Sequence, residues 1–530
     1  MYFSFSLVLL SLVLTAHALA LPSPNATSSK FAATHGDLHN TNTAVPGVQR
    51  IVVRYATAAR WKAPVVATSL HTLSSLPPVC PQLTDTDGNF TGDEDCLYVV
   101  LYVPSNPTNL IAWVHGGSLL VGGANDPMLE GSKLAQATGS VVAVVQYRLG
   151  VLGFLPPAAG ATGNLGVRDV IAALSFLKNT PGLGFTVPSS AITVSGQSSG
   201  ATLVRALLAS PSASSLFSKA VLHSDTANYA FYKPATLTTF QNSFFPDSLN
   251  CSTSNAACLN ALPLSKIMSA QQDFTANCVS LDAASAGPVP LRPVVDGSLI
   301  TSSLTETFPS SLKPILVTNV KDEGAPSIFG ALPELPASLY STVLSSVIPD
   351  ARADQVLDSS FYQLDSDADT LRETLSKVVT DLGFRCPDWT LARAWAGRGG
   401  SAYTALFLLG ATHPSNDGLA FCTGGGVCHQ DEIGIVFGTA RTPDAAQTQL
   451  IGEVQARYAA FLRTGNPNAQ AAAYAAAGVT GQPQSWAPTA NVETIQVLPL
   501  GGNGPVSMGA CVNSFWGSSA VPYDYQLHGL

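Results

Sequence analysis

The chain has 530 residues, of which 11% are charged and 46% hydrophobic. Against roughly 25% charged residues in an average protein, this composition excludes a disordered or heavily solvated chain and predicts a large buried core. Acidic residues exceed basic ones by 34 to 25, a formal net charge of −9 with no Lys/Arg cluster. That balance argues against nucleic acid and anionic membrane surfaces as partners, because phosphate binding needs positive charge to displace counterions.

The first element in chain order is residues 1–20, read as a cleaved secretory signal. Phe5 to Leu14 is nearly all apolar, and Ala18-Leu19-Ala20 is a small-x-small cleavage pattern. The stretch is short for a membrane anchor, and no later apolar run reaches the ~18 residues of a span. Residues 21–530 carry no repeat or low-complexity linker and are expected to form one domain. In an exported chain, nine cysteines imply four disulfides and one odd thiol. Asn25, Asn89 and Asn250 stand in N-x-S/T sequons, candidate glycosylation sites on the surface. His35 and His39 are spaced like metal ligands on a helix. They lie in a Thr/Asn-rich segment without a partner carboxylate motif, and are read as solvated; no metal is expected.

Further along, short apolar runs recur at 110–114, 141–145, 192–194, 220–222 and 315–317, with helix-like stretches at 170–177 and 203–208. Runs of β-branched residues and leucine without alternation predict strands buried on both faces, hence an α/β fold with a large, mainly parallel sheet flanked by helices. Ligands of such sheets sit beyond the carboxyl ends of the strands.

Two glycine elements fall at such ends. Trp113-Val114-His115-Gly116-Gly117-Ser118 follows the first run, and its exposed N–H groups are able to bind an oxyanion; the bland alternative is a plain β-turn. Gly196-Gln197-Ser198-Ser199-Gly200 follows the third run and opens a helix. A serine on such a strained strand-to-helix turn needs small residues two positions to either side. Its hydroxyl is exposed and the helix N-terminus faces the developing negative charge. Ser198 is therefore the expected nucleophile. An acid and a base must follow it. His413, after a strand-like run at 406–409, and His429 both qualify as the base on chain order alone.

These elements, with Glu94-Asp95-Cys96-Leu97-Tyr98, Tyr147-Arg148-Leu149-Gly150, Gly163-Asn164-Leu165-Gly166 and Gly465-Asn466-Pro467-Asn468, resemble the type-B carboxylesterase family of α/β-hydrolases, which includes cholinesterases and larger fungal lipases. The resemblance runs from Arg54 nearly to the C-terminus. It implies Glu323, not its neighbour Asp322, as the triad acid, and His429 as the base. It also implies Gly117, Ser118 and Ser199 as oxyanion donors. Ser118 stands where the family has glycine, and Ser199 where it has alanine. The disulfides implied are Cys80–Cys96, Cys251–Cys258 and Cys386–Cys511; the remaining close pair, Cys422–Cys428, is expected to staple the His429 loop, leaving Cys278 as a buried thiol.

The expected activity is that of a secreted serine carboxylesterase acting on small-molecule esters, without cofactor and without stable membrane association; its oligomeric state stays open. The first bridge encloses only residues 81–95, with Asp85, Asp87, Asp93, Glu94 and Asp95 and a sequon. In lipases of the family the matching loop is a longer amphipathic flap, so dissolved esters are favoured over an oil surface. Gln197 stands where choline-selective relatives carry glutamate, which disfavours cationic alcohols. An interfacial lipase and a catalytically silent adhesion-type domain are the alternatives.

Overall fold

The computed structural model describes residues 34–35, 40–42, 45–84, 89–157, 163–180, 182–186, 188–366 and 369–530. The signal reading over 1–20, Asn25, His39, Asp85 and Asp87 lie outside the described residues.

Twelve strands share one sheet: β1 (Thr34–His35), β2 (Asn40–Asn42), β3 (Val48–Arg54), β4 (His71–Leu73), β5 (Tyr98–Pro104), β6 (Asn109–Val114), β7 (Ser140–Val145), β8 (Ile192–Gln197), β9 (Lys219–His223), β10 (Ile315–Val320), β11 (Ala402–Phe407) and β12 (Leu498–Leu500). Their spatial order is β1-β4-β3-β5-β7-β6-β8-β9-β10-β11-β12, with β2 beside β3. From β7 through β6 to β12 every neighbour runs parallel. The strands on the other side of β7 are antiparallel. The five expected runs fall inside β6 to β10. His35 belongs to a strand and pairs opposite His71, so the helical spacing assumed for His35 and His39 does not apply.

Every residue of β6 through β11 is buried, which is why the expected runs within β6 to β10 show no alternation of apolar and polar residues. Alternate side chains still separate to two faces. Leu110, Ala112 and Val114 join Val167, Val170 and Leu174 of α1 (Leu165–Asn179) and Leu203 and Leu207 of α2 (Ser199–Leu208). Trp395 of α3 (Cys386–Gly397) packs into the same layer. Ile111 and Trp113 face the other way, towards Leu450, Val454 and Phe461 of α4 (Ala445–Thr464). Asp444 and Gln447 close a capping box at the start of α4, and Gly465 ends it in the left-handed region at φ 76°. The strand ends between these helical layers carry the site.

Cys80–Cys96, Cys251–Cys258, Cys386–Cys511 and Cys422–Cys428 are each joined. Cys278 is free and buried, and burial pushes its thiol pKa up. Asn89 and Asn250 are exposed. Among the described residues, no helix is long and apolar enough to cross a membrane.

Candidate active site

Ser198 occupies the turn from β8 into α2 with φ 57° and ψ −129°, a backbone conformation costly for any residue with a side chain. Both flanking glycines are required by close approach. A Cβ on Gly196 would lie 2.5 Å from the Gly200 carbonyl, and one on Gly200 would lie 2.2 Å from Val114 O. The Ser198 N–H donates to His223 O at 2.9 Å, tying the turn to the end of β9.

Glu323 follows the end of β10, and His429 comes from a loop beyond β11. They meet. His429 Nδ1 donates to Glu323 Oε2 at 2.5 Å, while Val320 N donates to Glu323 Oε1 at 2.9 Å and fixes the carboxylate. With Nδ1 engaged, Nε2 is the nitrogen left to accept. It contacts Gln197 Nε2 at 3.3 Å, so its hydrogen bond goes to the residue preceding Ser198 rather than to the serine hydroxyl. Unliganded sites commonly show such loose contacts, which tighten when substrate binds. The Phe384 ring lies against the imidazole with centroids 5.0 Å apart. Burial opposes a charged His429, but the Glu323 hydrogen bond and charge outweigh it and hold the pKa above its ordinary value.

The loop bearing His429 is braced from several sides. Asp322, rejected above as the acid, accepts from Val427 N through Oδ2 at 2.9 Å, and its own N–H donates to Val427 O at 2.9 Å. Asp431 accepts from Cys428 N at 2.7 Å and from His413 N at 2.8 Å. Asn416 Nδ2 donates to His429 O at 2.9 Å. Glu432 is fully buried; burial and then the Glu323 charge push its carboxyl well above the ordinary carboxylate range. His413 is part of this bracing. Its Nδ1 contacts Ser415 Oγ at 2.7 Å, and burial pushes its pKa down to about 4. No contact links it to Ser198 or Glu323. Nothing in the sequence marks Asp322 or Phe384 for these positions, because each acts on a partner distant in the chain, and Asp431 joins a near partner, Cys428, to a distant one, His413.

The second glycine element lies against the nucleophile turn. A Cβ on Gly116 would come within 2.8 Å of Gln197 O and 3.1 Å of Ser198 Cβ. Gly117 (φ 113°) and Ser118 (φ 57°) both have left-handed backbone, and Gly117 O accepts from the Leu120 and Val121 N–H groups. The N–H groups of Gly117, Ser118 and Ser199 donate to no acceptor among the described residues. That leaves three donors beside one serine.

The loop of the first bridge is anchored to this element. Gln82 Nε2 donates to Gly122 O at 2.8 Å, and Gly122 N donates to Gln82 Oε1 at 2.9 Å. Asp93 N donates to Val79 O at 3.0 Å. Among the described carboxylates of the loop, Glu94 pairs with Arg60 and Asp95 with Arg54, and Asp93 accepts from Asp95 N at 2.8 Å. The acidic rim expected from the sequence is thus partly a set of internal ion pairs.

A strand-to-helix serine, a buried glutamate–histidine pair and free N–H groups at the ends of parallel strands define a serine hydrolase. The carboxylesterase family pattern matches residues 47–508, and the chain belongs to that family, whose chemistry is the hydrolysis of carboxylic esters by a serine hydrolase. Among particular relatives, it is 30% identical over 305 residues to the cAMP-regulated D2 protein of Dictyostelium discoideum, covering 56% of this chain and only 55% of that protein. It is 28% identical over 435 residues to the acetylcholinesterase of Bungarus fasciatus, covering 74% of this chain and 70% of that one. A solved PNB esterase superposes with a TM-score of 0.68 over 86% of this chain and 93% of its own, at 24% identity. That likeness shows the fold, an α/β-hydrolase.

Proposed function

We propose that the chain is a secreted serine carboxylesterase for dissolved, uncharged esters, with residues 21–530 acting as one domain. Ser198 Oγ attacks the ester carbonyl carbon as its proton passes to His429 Nε2. The new oxyanion is stabilised by the N–H groups of Gly117, Ser118 and Ser199, each such donor being worth roughly 3–4 kcal/mol. The protonated histidine then gives its proton to the departing alkoxide, leaving an acyl-Ser198. Water repeats the sequence in reverse, with His429 again as base and Glu323 holding Nδ1–H throughout. The observation that carries the reading is the 2.5 Å Glu323–His429 bond with Nε2 turned to the Gln197-Ser198 turn.

Three observations support the finer reading. The Cys80–Cys96 loop is held to the body by the Gln82–Gly122 hydrogen bonds on one side and by the Glu94–Arg60 and Asp95–Arg54 ion pairs on the other, which favours a fixed rim over a flap that opens on oil. Gln197 is neutral, so that position offers no carboxylate to a cationic alcohol. Four disulfides fit an oxidising, extracellular setting.

The test is hydrolysis of a short-chain triacylglycerol across its solubility limit, by the unaltered chain and by Ser198→Ala. The rate of the unaltered chain is expected to saturate while the ester is still dissolved, and Ser198→Ala is expected to be inactive. A sharp rise as droplets form would make the enzyme an interfacial lipase. Inactivity of the unaltered chain towards any ester would favour a silent, adhesion-type role.

A further inference from the structure

We propose that the Ser199 hydroxyl is a positioning group that holds the oxyanion loop in its active shape; the inference rests on the esterase reading above. The loop is strained where it matters. Ser118 and the next residue, Leu119, both adopt left-handed backbone, with φ 57° and 60°, a costly choice for two consecutive residues with side chains. Such a turn persists only when its surroundings over-determine it.

Here they do so through Leu119, which is fully buried. Its N–H donates to Ser199 Oγ at 3.1 Å, and its carbonyl accepts from Gly150 N at 2.7 Å. At the other end of the loop, His115 O accepts from the Tyr147 hydroxyl at 2.7 Å. The Ser199 hydroxyl also neighbours that phenol: burial pushes the Tyr147 pKa up, and Ser199 opposes the rise. One hydroxyl therefore joins the first residue of α2 to the residue next to the Ser118 donor. Ser199 is itself fully buried, so bulk solvent does not reach the bond. Deleting the hydroxyl would strand a buried N–H and release the strained turn. The N–H of Ser199 and that of Ser118 would then lose their fixed relation. Oxyanion donors work only when held within about 0.5 Å of the productive geometry.

The test compares Ser199→Ala with the unaltered chain, counting active sites with a fluorophosphonate so that misfolded material is excluded. With p-nitrophenyl butyrate, kcat per titrated site is expected to fall about tenfold with KM unchanged, less than the 10²–10³ lost when a donor itself is removed. A butyl trifluoromethyl ketone provides the second readout. Ser198 Oγ adds to its carbonyl carbon and the serine proton moves to His429, giving a tetrahedral adduct. Its inhibition constant should weaken by the same factor, while that of the matching methyl ketone stays put. A hydroxyl of purely structural value would lower the thermal midpoint and the titratable fraction, but not kcat per site. An unchanged kcat per site, or a change confined to KM, overturns the inference and leaves the esterase reading standing. If Ser198→Ala hydrolyses the ester as fast as the unaltered chain, the reading itself falls and this inference with it.

Discussion

A serine hydroxyl is a weak nucleophile at neutral pH, and the state of His429 decides whether Ser198 is an active one. Burial drives the neighbouring His413 down to about 4 and His223 to about 3. Burial acts on His429 in the same sense, yet its hydrogen bond to Glu323, and then the Glu323 charge, reverse the outcome. The base must be neutral to accept the serine proton. Activity should therefore be lost as pH falls through the His429 pKa, which lies above the ordinary value of about 6.5. Glu323→Gln removes the largest contributions favouring the imidazolium and leaves only the weaker Glu432 and Asp431 charges against burial. The acid limb of kcat/KM should then move to lower pH, and kcat should drop by about 10²–10⁴ as the imidazole loses its orientation. Paired pH–rate profiles check both effects; an acid limb that does not move would show that Glu323 is not coupled to the base. At this scale Ser198 was legible from its turn alone, whereas the choice of Glu323 over Asp322 needed the family resemblance. The bracing by Asp322 was not legible, since a side chain reaching Val427 leaves no mark on the residues around Asp322.

Elements deliver these residues, and two disulfides divide the labour unequally. Cys422–Cys428 spans 6 residues immediately before His429, while Cys386–Cys511 spans 125 and ties the start of α3 to the C-terminal region. On the chain-entropy model these bridges stabilise by about 2 and about 5 kcal/mol. Replacing Cys386 and Cys511 by serine should therefore lower the denaturant midpoint more than replacing Cys422 and Cys428. The second pair should instead cost more activity per folded molecule, because it loosens the loop that sets His429 against Glu323. Equal losses of stability and no loss of activity would contradict this. Burial on both faces removed alternation in β6 to β10, and runs within those five strands were readable. β5 was not read, either as a strand or in its direction. All of Tyr98–Pro104 is buried, just as in the parallel strands, and its antiparallel pairing with β7 is set by a partner some forty residues away in the chain. The short link from β5 to β6 also misleads: β7 lies between them.

Across the whole molecule, low charge and a wide sheet buried between helical layers serve one end, the fixed placement of a few groups at the carboxyl ends of β6, β8 and β10. The proposed oxyanion loop follows β6, Ser198 follows β8 and Glu323 follows β10, so their spacing is set by the strands of one sheet rather than by flexible loops. The rim is part of the same rigid frame, through the Gln82–Gly122 pairing. Composition foretold the core and the apolar runs foretold the fold class; neither showed the rim, where Arg54 and Arg60 neutralise two carboxylates that looked free in the sequence. The account stands or falls on one serine among many. Reaction of the chain with a fluorophosphonate, followed by peptide mass mapping, tests it most directly. A single adduct on Ser198, with hydrolysis lost in proportion to labelling, is the predicted result; an adduct on Ser199 or any other serine, or full activity with Ser198 modified, would contradict it.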